Sequence, residues 1–198
     1  VEAPVYILQL DYPQASPRKG NTYTGIYAFN WAGLSDQGDP LIYDAQGKVI
    51  NDDNYLTAYA DLDAIHYNGP TSPVYNGSWN NTFSYGDFEL SVMLLYAGGH
   101  KIRNTNIPAI NMSSNGVVTM TSKDIRKRWK KEGDENLTDI PRLRFQGTVD
   151  YNYQRETIYD KADIHILDAS HIKFRNISLS YKLPETVLSG IGLRAARL

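Results

Sequence analysis

Two adjoining segments, Tyr75 to Phe83 and Phe88 to Tyr96, constrain this chain more than anything else in it, because both alternate with a period of two. In the second, Phe88, Leu90, Val92, Leu94 and Tyr96 share one face, and Glu89, Ser91, Met93 and Leu95 share the other. In the first, Tyr75, Trp79 and Phe83 fall opposite Asn76, Ser78, Asn80 and Thr82. A helix would scatter these side chains around its circumference, whereas a strand gathers them on one side. Tyr85-Gly86-Asp87 then reads as a hairpin turn, with Gly86 supplying any positive φ. An antiparallel pair with one apolar face follows.

Two architectures satisfy such a face. A soluble β-sandwich turns it inward against a second sheet, and a membrane barrel turns it outward to lipid. The most apolar window, Phe88 to Ala97, is interrupted by Glu89 and Ser91 and falls well short of the roughly 18 to 20 residues of a membrane-spanning helix, so a helical membrane protein is excluded. A spanning β-strand needs only about 9 to 11 residues and stays open. The stretches Asp11 to Gly25, Asp36 to Pro73 and Gly98 to Gln146 are long and crowded with turn residues, against the roughly 4 to 6 residues of ordinary connections. Sandwiches turn every 8 to 12 residues or so, whereas barrels combine short turns at one rim with long loops at the other.

A third strand is expected from Ala169 to Tyr181. Its apolar positions change phase between Ile172/Phe174 and Ile177/Leu179/Tyr181, and a bulge near Arg175-Asn176 reconciles them. Lys182-Leu183-Pro184 ends it, with one helical turn expected over Pro184 to Leu188 before the chain restarts at Leu193. Ser122 reads as the cap of a short loop helix running to Glu132 and stopped by Gly133, with Ile125 and Trp129 on its apolar side. Tyr23, Tyr27, Phe29 and Trp31 fall on one face and are the candidate ligand-stacking residues, although a lipid-interface girdle or plain core packing is the commoner role for any one of them.

Chemistry is mostly excluded. Twenty basic and 22 acidic residues leave a formal charge of −2, so no whole-chain field draws nucleic acid. The basic run Lys123, Arg126, Lys127, Arg128, Lys130 and Lys131 is interleaved with Asp124, Glu132, Asp134 and Glu135, and reads as a solvated loop. With no cysteine there is neither a thiolate metal site nor a thiol nucleophile, and the four histidines lack metal-binding spacing. The acidic stretch from Asp36 to Asp63 has no calcium-loop spacing and is read as turn chemistry. No G-x-S-x-G or phosphate-binding glycine loop is present. No catalytic residues, metal site or cofactor are expected, and the chain is not read as an enzyme.

The segment from Phe29 to Val49 is a β-meander, with turns at Gly38-Asp39 and Asp44 to Gly47. As a string it resembles the "W-A-G-L-D-x-x-T-G-D-P-x-x-x-D-x-x-G" stretch of SusC/RagA-type TonB-dependent outer-membrane transporters. Trp31, Ala32, Gly33, Leu34, Gly38, Asp39, Pro40, Asp44 and Gly47 are in place. Ser35 replaces the usual Asp, Gln37 the usual Thr, and the spacer before Gln37 is one residue shorter. Three further stretches resemble the same family in the same order: Asn80 to Val92, Trp129 to Arg142 with two extra residues before Thr138, and Asp168 to Pro184 with His171 where Tyr is common.

The resemblance implies an all-β fold: antiparallel strands of part of a transmembrane β-barrel, with long extracellular loops and a short loop helix. It makes residues 1–198 a partial TonB-dependent receptor barrel domain, cut from a plugged barrel of about 22 strands. Val1 is followed by no signal-peptide pattern, and the signal peptide, plug, TonB box and closing strands are expected beyond this stretch. The family imports oligosaccharides or peptides across the outer membrane of Gram-negative bacteria. Its partners are TonB, reached through the missing N-terminal region, and a SusD-like surface lipoprotein. Phe88, Leu90, Val92, Leu94 and Tyr96 then become lipid-facing. The rival from another class is a soluble β-sandwich glycan-binding module.

Overall fold

A computed structural model of the chain describes residues 19–51, 62–112, 122–145, 147–148 and 152–184. Twelve strands are described: β1 Gly25–Phe29, β2 Trp31–Leu34, β3 Pro40–Tyr43, β4 Val49–Ile50, β5 Ile65–Pro70, β6 Tyr75–Tyr85, β7 Phe88–Gly98, β8 Lys101–Arg103, β9 Asn111–Met112, β10 Arg144–Phe145, β11 Ile166–Asp168 and β12 His171–Tyr181. One α-helix, α1, spans Tyr153–Asp160. No helix among the described residues is long and apolar enough to cross a membrane, which leaves strands untested. The chain divides into two compact units: Val1–Ser72 with His100–Asp168, and Pro73–Gly99 with Ala169–Leu198.

The first unit is assembled from small sheets. β1 pairs with β5, β8 with β11, and β2-β3-β4 form the expected meander, all antiparallel, while β9 and β10 run parallel. The meander's turns close as the sequence requires. Gly38 and Gly47 take positive φ of 76° and 78°, and the Asp44 carboxylate accepts the N–H groups of Gln46 and Lys48 at 2.9 and 2.7 Å. Tyr27, Phe29, Ile42, Ile50, Ile65 and Ile158 form the core, with Trp31 against it. Complete burial of one such side chain contributes roughly 1.5 to 3 kcal/mol. Two of the long stretches expected as loops, Asp36 to Pro73 and Gly98 to Gln146, therefore carry short strands, and Ile42, Ile50 and Ile65 of the first belong to the core. α1, which periodicity did not suggest, starts at Asn152, whose side chain accepts the Gln154 N–H; Arg155 and Ile158 on it are fully buried.

The loop helix expected over Lys123 to Glu132 is corrected. Residues Lys123–Lys127 form a short 3₁₀ segment capped by Ser122, and Arg128 leaves helical geometry at ψ 157°. A second 3₁₀ turn covers Asp134–Asn136 after Gly133 at φ 96°. The break has a cause: the Trp129 N–H donates to Ile140 O at 2.8 Å, and its indole lies where a side chain on Gly38 would go, so Trp129 is drawn into the meander turn. The helical turn expected at Pro184 to Leu188, and the restart at Leu193, lie outside the described residues.

The second unit is one three-stranded antiparallel sheet in the order β12-β7-β6. Tyr85 pairs with Phe88, so the hairpin loop is Gly86-Asp87, with Gly86 at φ 56°. β12 shifts register between Phe174 and Asn176, leaving Arg175 as the extra residue of a bulge where the phase change required one.

Candidate functional site

The register fixes what the second unit presents. Opposite Phe88, Leu90, Val92, Leu94 and Tyr96 stand Tyr85, Phe83, Asn81, Trp79 and Gly77 on β6, and Tyr181, Leu179, Ile177, Phe174 and Ile172 on β12. Directly paired residues share a face. One side of the sheet is therefore continuously apolar and aromatic apart from Asn81. The other carries Ser78, Asn80, Thr82 and Ser84, then Glu89 and Ser91 beside Met93 and Leu95, then Lys173, Asn176, Ser178 and Ser180. Without the Arg175 bulge, Ile172 and Phe174 would emerge on that polar side.

This apolar side is uncovered among the described residues. Ile172 is 74% exposed and Leu179 67%; Tyr85, Phe83 and Trp79 are exposed too. Phe88 and Tyr96, at the two ends of the β7 row, are exposed, and Leu90, Val92 and Leu94 between them are half-buried by their neighbours. Aromatic rings gather at the ends. Phe88 and Tyr181 stack with centroids 4.7 Å apart at the hairpin end. At the far end, the rings of Tyr96 and Tyr75 occupy the space over Gly77 and Gly98 that a Cβ would need, covering glycines that would otherwise weaken the strands. An apolar face of this extent on a soluble sheet would be packed against something.

The four aromatic candidates of the first unit are not brought together. Tyr27 and Phe29 are 5% and 1% exposed and belong to the core, so the expectation that they stack on a ligand is corrected. The alternation does place them on a common face, but β1 is buried along its whole length. Tyr23 is exposed ahead of β1. Trp31 starts a different sheet, packs tilted on Tyr159 at 5.8 Å, and donates its indole N–H to Asp139 at 3.3 Å.

A buried charge cluster is the feature that the sequence reading missed. Asp39, read as a turn residue, accepts Arg142 Nε and Nη2 at 3.3 and 3.0 Å, Arg144 Nη2 at 2.6 Å and Arg155 Nε at 2.8 Å. Burial raises the Asp39 pKa, but the hydrogen bonds from Arg142 and Arg144 and the charges of Arg155 and Arg144 outweigh it and hold the carboxyl below its ordinary range. Arg155 also donates to the carbonyls of Ile110 and Arg142 and to the Asn111 side chain, while Arg142 N donates to Gly38 O at 2.9 Å. Two of the motif segments, Phe29 to Val49 and Trp129 to Arg142, meet at this one carboxylate. The bonds tie Asp39, Arg142, Arg144 and the Ile110-Asn111 segment to Arg155 on α1.

A cleft of 320 Å³ lies beside α1, lined by Arg103, Asn104, Ile107, Pro108, Glu156 and Asp160 among others. Burial, then the Glu156 charge, push Asp160 up to about 6, against the pull of Lys161 and Arg103. His165, buried edge-on to Tyr159 at 4.7 Å, is pushed down to about 4 by burial and by Arg103.

No protein-family model matches the chain. Over 187 residues, 90% of this chain and 16% of the relative, it is 25% identical to TonB-dependent receptor P3 of Formosa agariphila. Its fold matches the RagAB peptide importer in the "closed-closed" state with a TM-score of 0.57 at 20% identity, covering 87% of this chain and 18% of that one. The "open-open" state gives 0.58 at 19% identity, over 87% and 17%. The structure of the RagAB peptide transporter gives 0.58 at 22% identity, over 87% and 18%. The chain thus spans 16 to 18% of the length of these relatives. The resemblance to SusC/RagA-type TonB-dependent transporters read from the motifs is met in sequence and in fold.

Proposed function

We propose that this chain is a stretch of barrel wall and surface segments from a SusC/RagA-type TonB-dependent transporter of a Gram-negative outer membrane. One observation carries the reading: a three-stranded sheet whose apolar face is continuous across β6, β7 and β12 and uncovered among the described residues. Its dimensions agree. Eleven residues at about 3.4 Å each, tilted by about 40°, rise roughly 25 to 30 Å, the height of the apolar band of an outer-membrane barrel. Phe88, Leu90, Val92, Leu94 and Tyr96 face lipid, and the opposite, polar side faces the lumen.

The whole transporter takes up oligosaccharides or peptides beneath a SusD-like lipoprotein, driven through TonB. The similarity to a peptide importer supports uptake of large nutrients. In the first unit, tied at Asp39, Tyr23 is the exposed one of the four aromatic candidates and the one offered to a ligand, while Trp31 is half-buried against Tyr159.

The test uses the full-length receptor reconstituted in lipid. Spin labels on single cysteines replacing Leu90, Ile177 and Leu179 are relaxed preferentially by oxygen, and labels at Ser91 and Ser178 by a water-soluble nickel chelate. Equal chelate access at both sets abandons the reading.

A further inference from the structure

Two short stretches of the first unit, Gly20 to Gly25 and Tyr67 to Ser72, are brought together by the β1–β5 ladder, which pairs Gly25 with Pro70 and Tyr27 with Tyr67. Past the end of the ladder the Thr71 N–H donates to Thr24 O at 2.7 Å, and the Thr24 hydroxyl donates to Ser72 Oγ at 3.3 Å. Neither stretch contains Asp, Glu, Lys, Arg or His: beside glycine and proline, every side chain in them is a hydroxyl, an amide or a tyrosine. At the border, Lys19 precedes Gly20, and Lys101, whose stem lies beside Gly69, is paired with Asp168 at 3.0 Å.

Tyr67 is the fixed point of this surface. Its hydroxyl lies 2.8 Å from Thr22 Oγ1, its ring is tilted on Tyr27 at 5.7 Å, and the same ring fills the space over Gly25 that a Cβ would need. Three contacts hold the ring, yet Tyr67 is 37% exposed, and Tyr23, beside Thr22 in the chain, is 58% exposed. A ring held in place before a ligand arrives loses little conformational freedom when it is covered. The polar groups are ordered in the same way. Asn21 Nδ2 donates to Tyr27 Oη at 3.3 Å, and the Thr71 hydroxyl to Thr24 O at 3.2 Å. A hydroxyl has one donor and two acceptor sites and an amide has four sites, so these single bonds leave capacity at the exposed Asn21, Thr22 and Ser72.

We propose that this rim of the β1–β5 sheet binds a neutral saccharide. Tyr67 and Tyr23 lie against the C–H face of a sugar ring, and Asn21, Thr22 and Ser72 exchange hydrogen bonds with its hydroxyls. The lack of charge decides the class. A site for an ionic ligand carries the opposite sign. A sugar instead offers a donor and an acceptor at each hydroxyl, and an apolar C–H face that suits the negative face of an aromatic ring. The surface belongs to the first unit alone, so the proposal goes beyond the barrel-wall reading, and it selects oligosaccharide where that reading leaves peptide open as well.

The experiment passes the full-length protein, in neutral detergent micelles, over immobilised neutral oligosaccharides built from glucose, galactose, mannose or xylose, beside sulfated oligosaccharides and uncharged peptides. At least one neutral saccharide is expected to bind, with no loss in high salt. Tyr23→Ala and Tyr67→Ala are each expected to weaken that binding on the order of tenfold. Tyr67→Phe, which keeps the ring, is expected to restore most of it. Tyr43→Ala, which removes an aromatic ring equally exposed on β3, should leave it unchanged. Because Tyr67 also covers Gly25, Tyr23→Ala carries the decision if Tyr67→Ala fails to fold. Binding to none of the neutral saccharides overturns the proposal, as do tighter binding of sulfated saccharides or peptides and undiminished binding by Tyr23→Ala. Spin-label access to the sheet is a separate readout, so a failed sugar site and a failed membrane reading are told apart.

Discussion

Asp39 is one carboxylate answering three guanidinium groups, and removing it strands buried positive charge rather than merely losing a contact. Asp39→Asn is expected to destabilise the first unit by about 3 to 5 kcal/mol, read as faster amide exchange at Phe29 and Ile158 in the full-length protein. Because its folded pKa lies below the unfolded value, the stability it contributes is present above the unfolded pKa and is lost as pH falls through the folded one. His165 has the opposite charge type. Folded at about 4 against an ordinary 6.5, it is kept neutral, so its contribution is full above about 6.5 and erodes by about 3 kcal/mol as pH falls towards 4. Asp160, raised to about 6, works the other way, penalising the fold as pH rises from 3.8 to 6. The two nearly cancel across that window. In His165→Gln only the Asp160 effect remains, and protection of α1 amides should increase as pH is lowered from 6 to 4; a flat or falling profile contradicts the assignment.

At the scale of elements, the hairpin, the meander and the Arg175 bulge were all legible, because each is written in local alternation and in glycines at turns. The bulge was deduced from a phase change alone, and it makes a sharp prediction. On the barrel-wall reading, deleting Arg175 should flip Ile172 and Phe174 to the polar face and abolish assembly of the full-length protein into membranes, seen as loss of the heat-modifiable folded band on gels. Arg175→Thr should leave assembly intact. What could not be read was anything decided at long range. The Asp39 partners lie 103, 105 and 116 residues away in sequence, and no local pattern links them. Tyr27 and Phe29 show the same limit differently, since alternation says which side chains share a face but not what covers it. The loop helix failed because Trp129, counted as part of its apolar side, is claimed by the turn at Gly38.

For the whole molecule, the two faces of the sheet should respond differently to the same insult. On the barrel-wall reading, Leu90→Arg or Ile177→Arg, near the middle of the apolar face, is expected to cost about 2 to 4 kcal/mol in refolding of the full-length protein into vesicles. Ser91→Arg and Ser178→Arg, on the opposite side, should change it little. Equal costs would place the sheet in a symmetric environment that lipid cannot provide. The strand order β12-β7-β6 carries a further obligation. Only β7 has both of its ladders filled, so about half of the N–H and C=O groups along β6 and β12 point sideways with no strand to receive them among the described residues. Water tolerates such an edge, but hydrocarbon charges several kcal/mol for each orphaned group. Inside a bilayer, then, this sheet is a middle panel that demands a neighbour on each flank before it can exist at all.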